Sequence, residues 1–455
     1  MANEKVLSHL EANRQHHVDQ LCDFLRIPSI SSQSEYNEDT KRACAFVADE
    51  LKELGLTVEV IDLGGHPLVV AQTEIRPDRK TLLFYGHYDV QPVDPLELWD
   101  NPPFEPVIKD GIVYARGASD DKGQVYTHIK ALEAYIRTGT ELPVNVKFII
   151  EGEEEAGGES IYRYTEQNPE KLACDAIIVS DTTLYNETTP GICYSLKGLA
   201  YMEIRVKGPD MDLHSGSYGG TVQNPGNALA EIVAKLKDAD GRCLVPGFYD
   251  DVLELEQDER DAFADLGYTD ETLCGETGAP AAFGEKGFTT LERMWARPTC
   301  DVNGLSSGYG GEGAKTIIPS RALAKVSMRL VPDQDPDKIA AAFQAYVKEI
   351  APAGVEVEVE NHHNANPVLV PRKSEMFKAG MAALEQGFGA KPVFIREGGS
   401  IPIVGTFQEC LKSPVLLLGY GLSTDNIHSP NEKFHLDNFW RGIRTSAFLM
   451  EEAAK

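Results

Sequence analysis

Apolar positions recur with two different periods along this chain, and the period changes twice. In the first third, Val18, Leu21, Phe24 and Leu25 are spaced for one face of a helix. Phe46, Val47, Leu51 and Leu54 repeat that spacing ahead of Gly55, which suits a helix C-cap. Short β-rich runs at 57–61, 68–71 and 81–85 predict strands. Residues 122–138 predict an amphipathic helix through Val125, Ile129, Leu132 and Ile136, closed by Gly139. Two further runs, 144–150 and 176–179, predict strands, the first ending and the second running wholly in consecutive apolar residues. Continuous rather than alternating runs belong to strands covered on both faces, so strands and helices in this order predict an α/β layered sheet.

Beyond Gly191 the pattern changes. Ala200, Met202, Ile204 and Val206 alternate with period two, as in a sheet with one wet face. A predicted helix at 227–237, a strand at 324–330, a helix at 338–350 and an alternating strand at 355–359 complete a small α+β unit of the split βαβ kind. An acidic stretch, 250–267, interrupts it and reads as a solvated helix-and-loop insertion. Near Pro367 the first style returns, with a helix at 376–386, a strand at 415–418 and a last helix at 438–453. The reading is one α/β domain made from both ends of the chain, 1–192 and 366–455, with a second domain, 193–365, inserted.

Charge narrows the choice of function. The 455 residues carry a net charge of −28, which repels phosphate backbones and anionic lipid, so neither nucleic acid nor membrane is expected as a partner. Residues 1–15 lack the apolar centre of a signal peptide, and no apolar run approaches the roughly 20 residues that span a bilayer. The eight cysteines lie far apart without a CxxC pair, as buried thiols of a reducing cytoplasm do, so a cysteine zinc site or disulfide framework is not expected.

Several predicted strands run into residues that bind metals. Residues 82–85 lead to His87 and Asp89; 148–150 lead to Glu151, Glu153, Glu154 and Glu155; 176–179 lead to Asp181; 415–418 lead through a glycine-containing loop to His428. Ligands of open α/β sheets bind beyond the carboxyl ends of strands, so these ends can share one crevice. Asp120 and Asp121, ahead of the helix at 122, add two carboxylates. Each segment alone has an ordinary explanation: a surface histidine, a solvated acidic loop, a helix N-cap. Their coincidence is what points to metal. Crowded carboxylates stay ionised only beside cations, and imidazoles mixed with carboxylates suit zinc, manganese or cobalt. Two such ions need a shared carboxylate and a spare one as base, and this chain can supply both.

The segments Gly86-His87-Tyr88-Asp89-Val90, Trp99 with Pro102-Pro103-Phe104, and Arg116-Gly117-Ala118-Ser119-Asp120-Asp121-Lys122-Gly123 follow one another in a familiar order. Glu151-Gly152-Glu153-Glu154-Glu155-Ala156-Gly157, Ser180-Asp181 and His428-Ser429-Pro430-Asn431-Glu432 continue it. Together they resemble the di-zinc metallopeptidase family of aminoacylases, desuccinylases, bacterial carboxypeptidases and carnosinase-type dipeptidases. Asp212-Leu213-His214-Ser215-Gly216 and Arg396-Glu397-Gly398-Gly399-Ser400-Ile401-Pro402 look most like the cytosolic non-specific dipeptidase branch.

The resemblance implies a three-layer α/β catalytic domain and an inserted domain that serves as lid and dimerisation surface. It implies two divalent metal ions per subunit, zinc with manganese or cobalt as alternatives. Asp120 would bridge them, with His87 and Asp181 completing one site and Glu155 and His428 the other. Asp89 would hold the His87 ring, Glu154 would be the general base, Glu153 would not be a ligand, and the Asp120–Asp121 bond would be cis. His214 would reach the substrate carbonyl across a homodimer interface as an oxyanion donor. Arg329 would grip the substrate carboxylate, with His363 and Ser400 in the same pocket and His362 as the alternative to His363. The implied activity is hydrolysis of dipeptides or short peptides with a free C-terminal carboxylate. The alternatives are an N-acyl amino-acid deacylase and a non-catalytic binder.

Overall fold

The structure, a computed structural model, describes residues 4–399 and 401–455. Its contacts divide the chain into two compact units, one of residues 1–194, 370–395 and 406–455, the other of 195–369 and 396–405. Residues 396–405 thus fall with the second unit, whereas the sequence boundaries group them with the chain ends.

The first unit is built on a mixed sheet. Its strands run in the order Thr57–Ile61, Leu68–Gln72, Asn145–Glu151, Thr81–His87, Ala176–Val179, Val415–Leu417, Gly191–Leu196. Thr81–His87 lies parallel to both Asn145–Glu151 and Ala176–Val179, and Val415–Leu417 is parallel to Ala176–Val179. The predicted continuous runs explain this centre: every residue of Asn145–Glu151 and of Ala176–Val179 is buried. Because the central strands are parallel, their carboxyl ends emerge at one edge. His87 and Glu151 are the last residues of paired strands and lie opposite each other in register.

The helix Lys122–Arg137 departs from the amphipathic expectation, being buried all round from Lys122 to Tyr135. Its two lysines are satisfied internally. The Lys122 ammonium donates to the Ile27 carbonyl at 2.7 Å, and burial lowers its pKa to about 7. Lys130 is paired with Glu50 at 2.7 Å and Glu133 at 2.9 Å. The expectation failed because a buried, paired lysine is indistinguishable from an exposed one in the spacing of apolar residues.

In the second unit, four antiparallel strands run in the order Thr299–Ser307, Arg321–Leu330, Gly198–Lys207, Glu356–Ala365. The inward residues Ala200, Met202, Ile204 and Val206 pack with Leu229, Ile232, Phe343 and Val347, from the helices Pro225–Ala234 and Pro336–Ile350. The acidic stretch corrects the expectation of a purely solvated insertion. Within its helix Gln257–Asp265, Glu259 and Phe263 are buried.

Phe84 lies at the middle of the parallel sheet, fully buried, with ring centroids 5.4 Å from Phe148 and 4.6 Å from His128. Phe84→Ala removes a ring that the rigid strands cannot close over. It is expected to lower unfolding free energy by about 3–5 kcal/mol, read from denaturant titration.

Candidate metal centre

The first unit gathers His87, Asp120, Glu155, Asp181 and His428 at the strand ends. Their donor atoms form two groups, His87 with Asp120 and Asp181, and Asp120 with Glu155 and His428, each within 4.8 Å. Asp120 belongs to both. Its Oδ1 lies 3.2 Å from His87 Nε2 and its Oδ2 2.9 Å from His428 Nε2, so the carboxylate faces an imidazole on each side. Asp181 lies 4.0 Å from the same His87 nitrogen, and Glu155 lies 3.3 Å from His428 Nε2.

Local backbone geometry makes these approaches possible. His428 has φ +58°, in the left-handed region, within a loop that also holds Asn426 and Asn431 at positive φ. The Asp120–Asp121 peptide is cis. Asp121 does not cap the helix that follows it; its Oδ2 instead accepts the His87 backbone N–H at 3.1 Å.

The His87 ring is set from behind. Its Nδ1 lies 3.1 Å from the Asp89 carbonyl oxygen and 3.4 Å from the Asp89 carboxylate, which puts the ring hydrogen on Nδ1 and leaves Nε2 as a lone pair. Buried Nε2 makes no well-directed hydrogen bond, although Asp120 is near. A buried nitrogen lone pair aimed into a set of carboxylates fits a divalent cation.

The electrostatics point the same way. Burial drives Asp181 well above the usual carboxylate range, with Asp120 adding to it. Burial lifts Glu154 to about 8, against the opposing field of His87. Glu155 is raised by burial and by Asp120. Burial alone would raise Asp120 too, but the neighbouring imidazoles of His428 and then His87 outweigh it and hold this carboxyl low. Asp120 first, and Glu155 after it, lift His428 to about 10. Without cations, the imidazoles must be protonated and part of the carboxylates neutral. Divalent ions would replace those protons.

The comparisons bear on this centre. A sequence profile of peptidase family M20/M25/M40 matches residues 83–452. The chain belongs to that family. It is 33% identical to the Cys-Gly metallodipeptidase dug1 of Schizosaccharomyces pombe, over 100% of this chain and 99% of that protein. It is 30% identical to the Beta-Ala-His dipeptidase of Homo sapiens, over 99% and 92% of the two chains. The crystal structure of the M20 family metallo-carboxypeptidase Sso-CP2 from Sulfolobus solfataricus matches with TM-score 0.87 and 34% identity, over 96% of this chain and 99% of that one. Membership implies divalent metal ions, consistent with the donor set.

The remaining sequence-expected residues lie elsewhere. Glu153 lies outside both donor groups, accepting the His66 N–H at 2.9 Å and the Ser160 N–H at 3.3 Å. His214 is exposed in the second unit, where its Nδ1 accepts the N–H groups of Gly216 at 3.0 Å and Ser217 at 3.2 Å. Arg329, also in the second unit, lines a cavity of 410 Å³, and burial pulls its pKa down. His363 is exposed on the strand Glu356–Ala365, beyond a register shift between Asn361 and His363. His362 lies 3.4 Å from Glu203. Glu203, Glu360 and His362 also group together, but Arg205 already pairs with both carboxylates, at 2.6 and 2.5 Å. Ser400 lies outside the described residues.

Sequence reasoning quoted Glu432 within a motif and gave it no role. It is fully buried and accepts four hydrogen bonds: from Arg116 Nη1, Gly117 N and Ser119 N at 2.9 Å, and from Asp120 N at 3.1 Å. The loop that presents Asp120 therefore hangs on one carboxylate from the far end of the chain. Gln91 was missed as well; its side-chain amide donates to Glu155 Oε2 at 2.7 Å. Glu432→Ala leaves Arg116 buried without its partner, and a loss of about 3–5 kcal/mol is expected in thermal melts. It also frees the Asp120 loop, so divalent-metal binding by calorimetry is expected to weaken about 10- to 100-fold.

Proposed function

We propose that the protein is a metallo-dipeptidase that cleaves the peptide bond of dipeptides or short peptides bearing a free C-terminal carboxylate. The observation that carries this reading is Asp120, whose two oxygens face His87 and His428 from a shared position. The named relatives support a dipeptide over an N-acyl amino acid as substrate. The metals are taken as two zinc ions, with manganese or cobalt accepted by the same donors. His87, Asp120 and Asp181 hold one, and Asp120, Glu155 and His428 the other. When bound, such ions acidify a water and polarise the scissile carbonyl.

The protein's own groups do the rest. Glu154 is half-buried and unusually basic for a carboxylate, so it takes a proton from the attacking water and passes it to the leaving amine nitrogen. Asp89 fixes the His87 ring. His214 donates from Nε2 to the carbonyl oxygen as negative charge develops there. Support comes from its Nδ1, which accepts two backbone N–H groups and so leaves the ring hydrogen on Nε2. His214 serves the site of the partner subunit in a homodimer. Arg329 holds the substrate carboxylate, with His363 and Ser400 as further candidates for contact with the substrate. A cytoplasmic location suits the eight free cysteines, and among the described residues no helix is long and apolar enough to cross a membrane.

Metal-stripped protein resupplied with zinc, manganese or cobalt is expected to hydrolyse dipeptides and to leave acetyl- and succinyl-amino acids intact; the reverse preference would make it a deacylase. Glu154→Ala is expected to lower kcat by at least about 100-fold with both metals still bound, checked by metal analysis of the variant. Glu154→Ala and His214→Ala proteins, each nearly inactive, are expected on mixing and subunit exchange to recover about a quarter of wild-type activity. Half the dimers are then mixed, and each has one intact site. No recovery would place His214 in its own subunit's site.

A further inference from the structure

The cavity beside Arg329 is more than a seat for a carboxylate. One part of its wall is Arg329 with buried Lys197. The Lys197 ammonium donates to the Arg297 carbonyl at 2.7 Å, and its pKa falls to about 7 through burial and then the positive field of Arg329. Both side chains line the same cavity, and its two acids, Glu285 and Asp301, are paired with Arg297 and Lys237, which leaves this part of the lining basic and favours an arriving carboxylate.

A second part of the wall is apolar. Leu273, Phe283, Met294 and Trp295 line it. Phe283 is 71% exposed and Met294 40%, apolar surface that gains from being covered. This wall belongs to the same inserted region as the acidic stretch that the function above leaves unused, and the buried face of that stretch braces it. From the helix Gln257–Asp265, Phe263 packs edge-on against Trp295 at 5.0 Å. Glu259 pairs with Arg396, two residues before the lining residue Gly398. At 410 Å³ the cavity lies within the range of small-ligand pockets.

We infer that this cavity is the specificity pocket for the substrate's C-terminal side chain, and that it selects dipeptides whose second residue is bulky and apolar. The carboxylate rests on Arg329, and the side chain beyond it covers Leu273, Phe283, Met294 and Trp295. A C-terminal glycine leaves this wall wet. The inference rests on the dipeptidase reading and on the proposed task of Arg329.

The test is kcat/KM for dipeptides that share one N-terminal residue and end in Gly, Ala, Leu, Phe or Asp, measured on the metal-loaded protein. Leu and Phe are expected to exceed Gly by about tenfold or more. Leu273→Trp, which fills the pocket from a short surface helix, is expected to erase most of that advantage and to leave the Gly substrate within about twofold. Phe283→Ser, at an exposed position that folding does not depend on, is expected to reduce the Leu and Phe values selectively. Equal rates across the set, or variants that slow every substrate alike, would overturn the pocket while leaving the dipeptidase reading intact. Preference for Asp would assign the cavity to a second carboxylate on Lys197 instead. Failure to cleave any member, with N-acyl amino acids cleaved, would remove the dipeptidase reading itself.

Discussion

Like charges forced together away from water are what the rest of this structure is arranged around. Glu151 and Asp181, at and just beyond the ends of neighbouring strands, and Asp120 and Asp121, in the loop ahead of the helix Lys122–Arg137, are all buried or nearly so, with Glu154 and Glu155 beside them. Burial pushes Asp121, Glu151 and Asp181 far above the usual carboxylate range. At the low effective dielectric of such a place, each added negative charge costs several kcal/mol unless a cation lies within a few ångströms. Protons on His87 and His428 supply part of that compensation. Divalent ions supply it better, because they leave the carboxylates ionised and the imidazole lone pairs engaged.

Such a site needs a frame that does not relax, since a carboxylate that can swing into water will do so. The parallel strands furnish one side of it, their exits fixed by fully buried neighbours. The other side is polar. Glu432 ties down the Asp120 loop through Arg116 and three backbone N–H groups, and Asp425 accepts from Ser119 at 3.1 Å in the same loop. Tyr85 donates to Glu151 at 2.8 Å and so anchors the carboxylate that lies opposite His87 in register. These contacts are charge-assisted and buried, the kind whose loss leaves an uncompensated ion.

How much of this could be read in advance depends on the range of the interaction. The parallel core was legible because strands buried on both faces carry consecutive apolar residues, as 148–150 and 176–179 do, although Asn145, Lys147 and Glu151 are buried in the first strand without being apolar. The positions of His87, Asp181 and His428 followed from strand ends. The hold of Glu432 on Ser119 was not legible, because the two residues are 313 positions apart and nothing local marks an acid that accepts from a distant backbone. The buried face of Gln257–Asp265 was hidden by its own charges, since Glu259 is paired inside with Arg396. The choice between His362 and His363 turned on the register shift after Asn361, which breaks the alternation that would otherwise assign faces.

The distance between Asp120 and Glu432 along the chain also sets a calendar for the molecule. A polypeptide still leaving the ribosome has long since exposed His87 and Asp120 when His428, Glu432 and the closing helix Leu436–Ala454 are yet to appear. Until they do, the half-made centre has one imidazole, and its central carboxylate hangs on an untethered loop. The grouping around Asp120 is therefore complete only once its last-made residues, His428 and Glu432, have joined it.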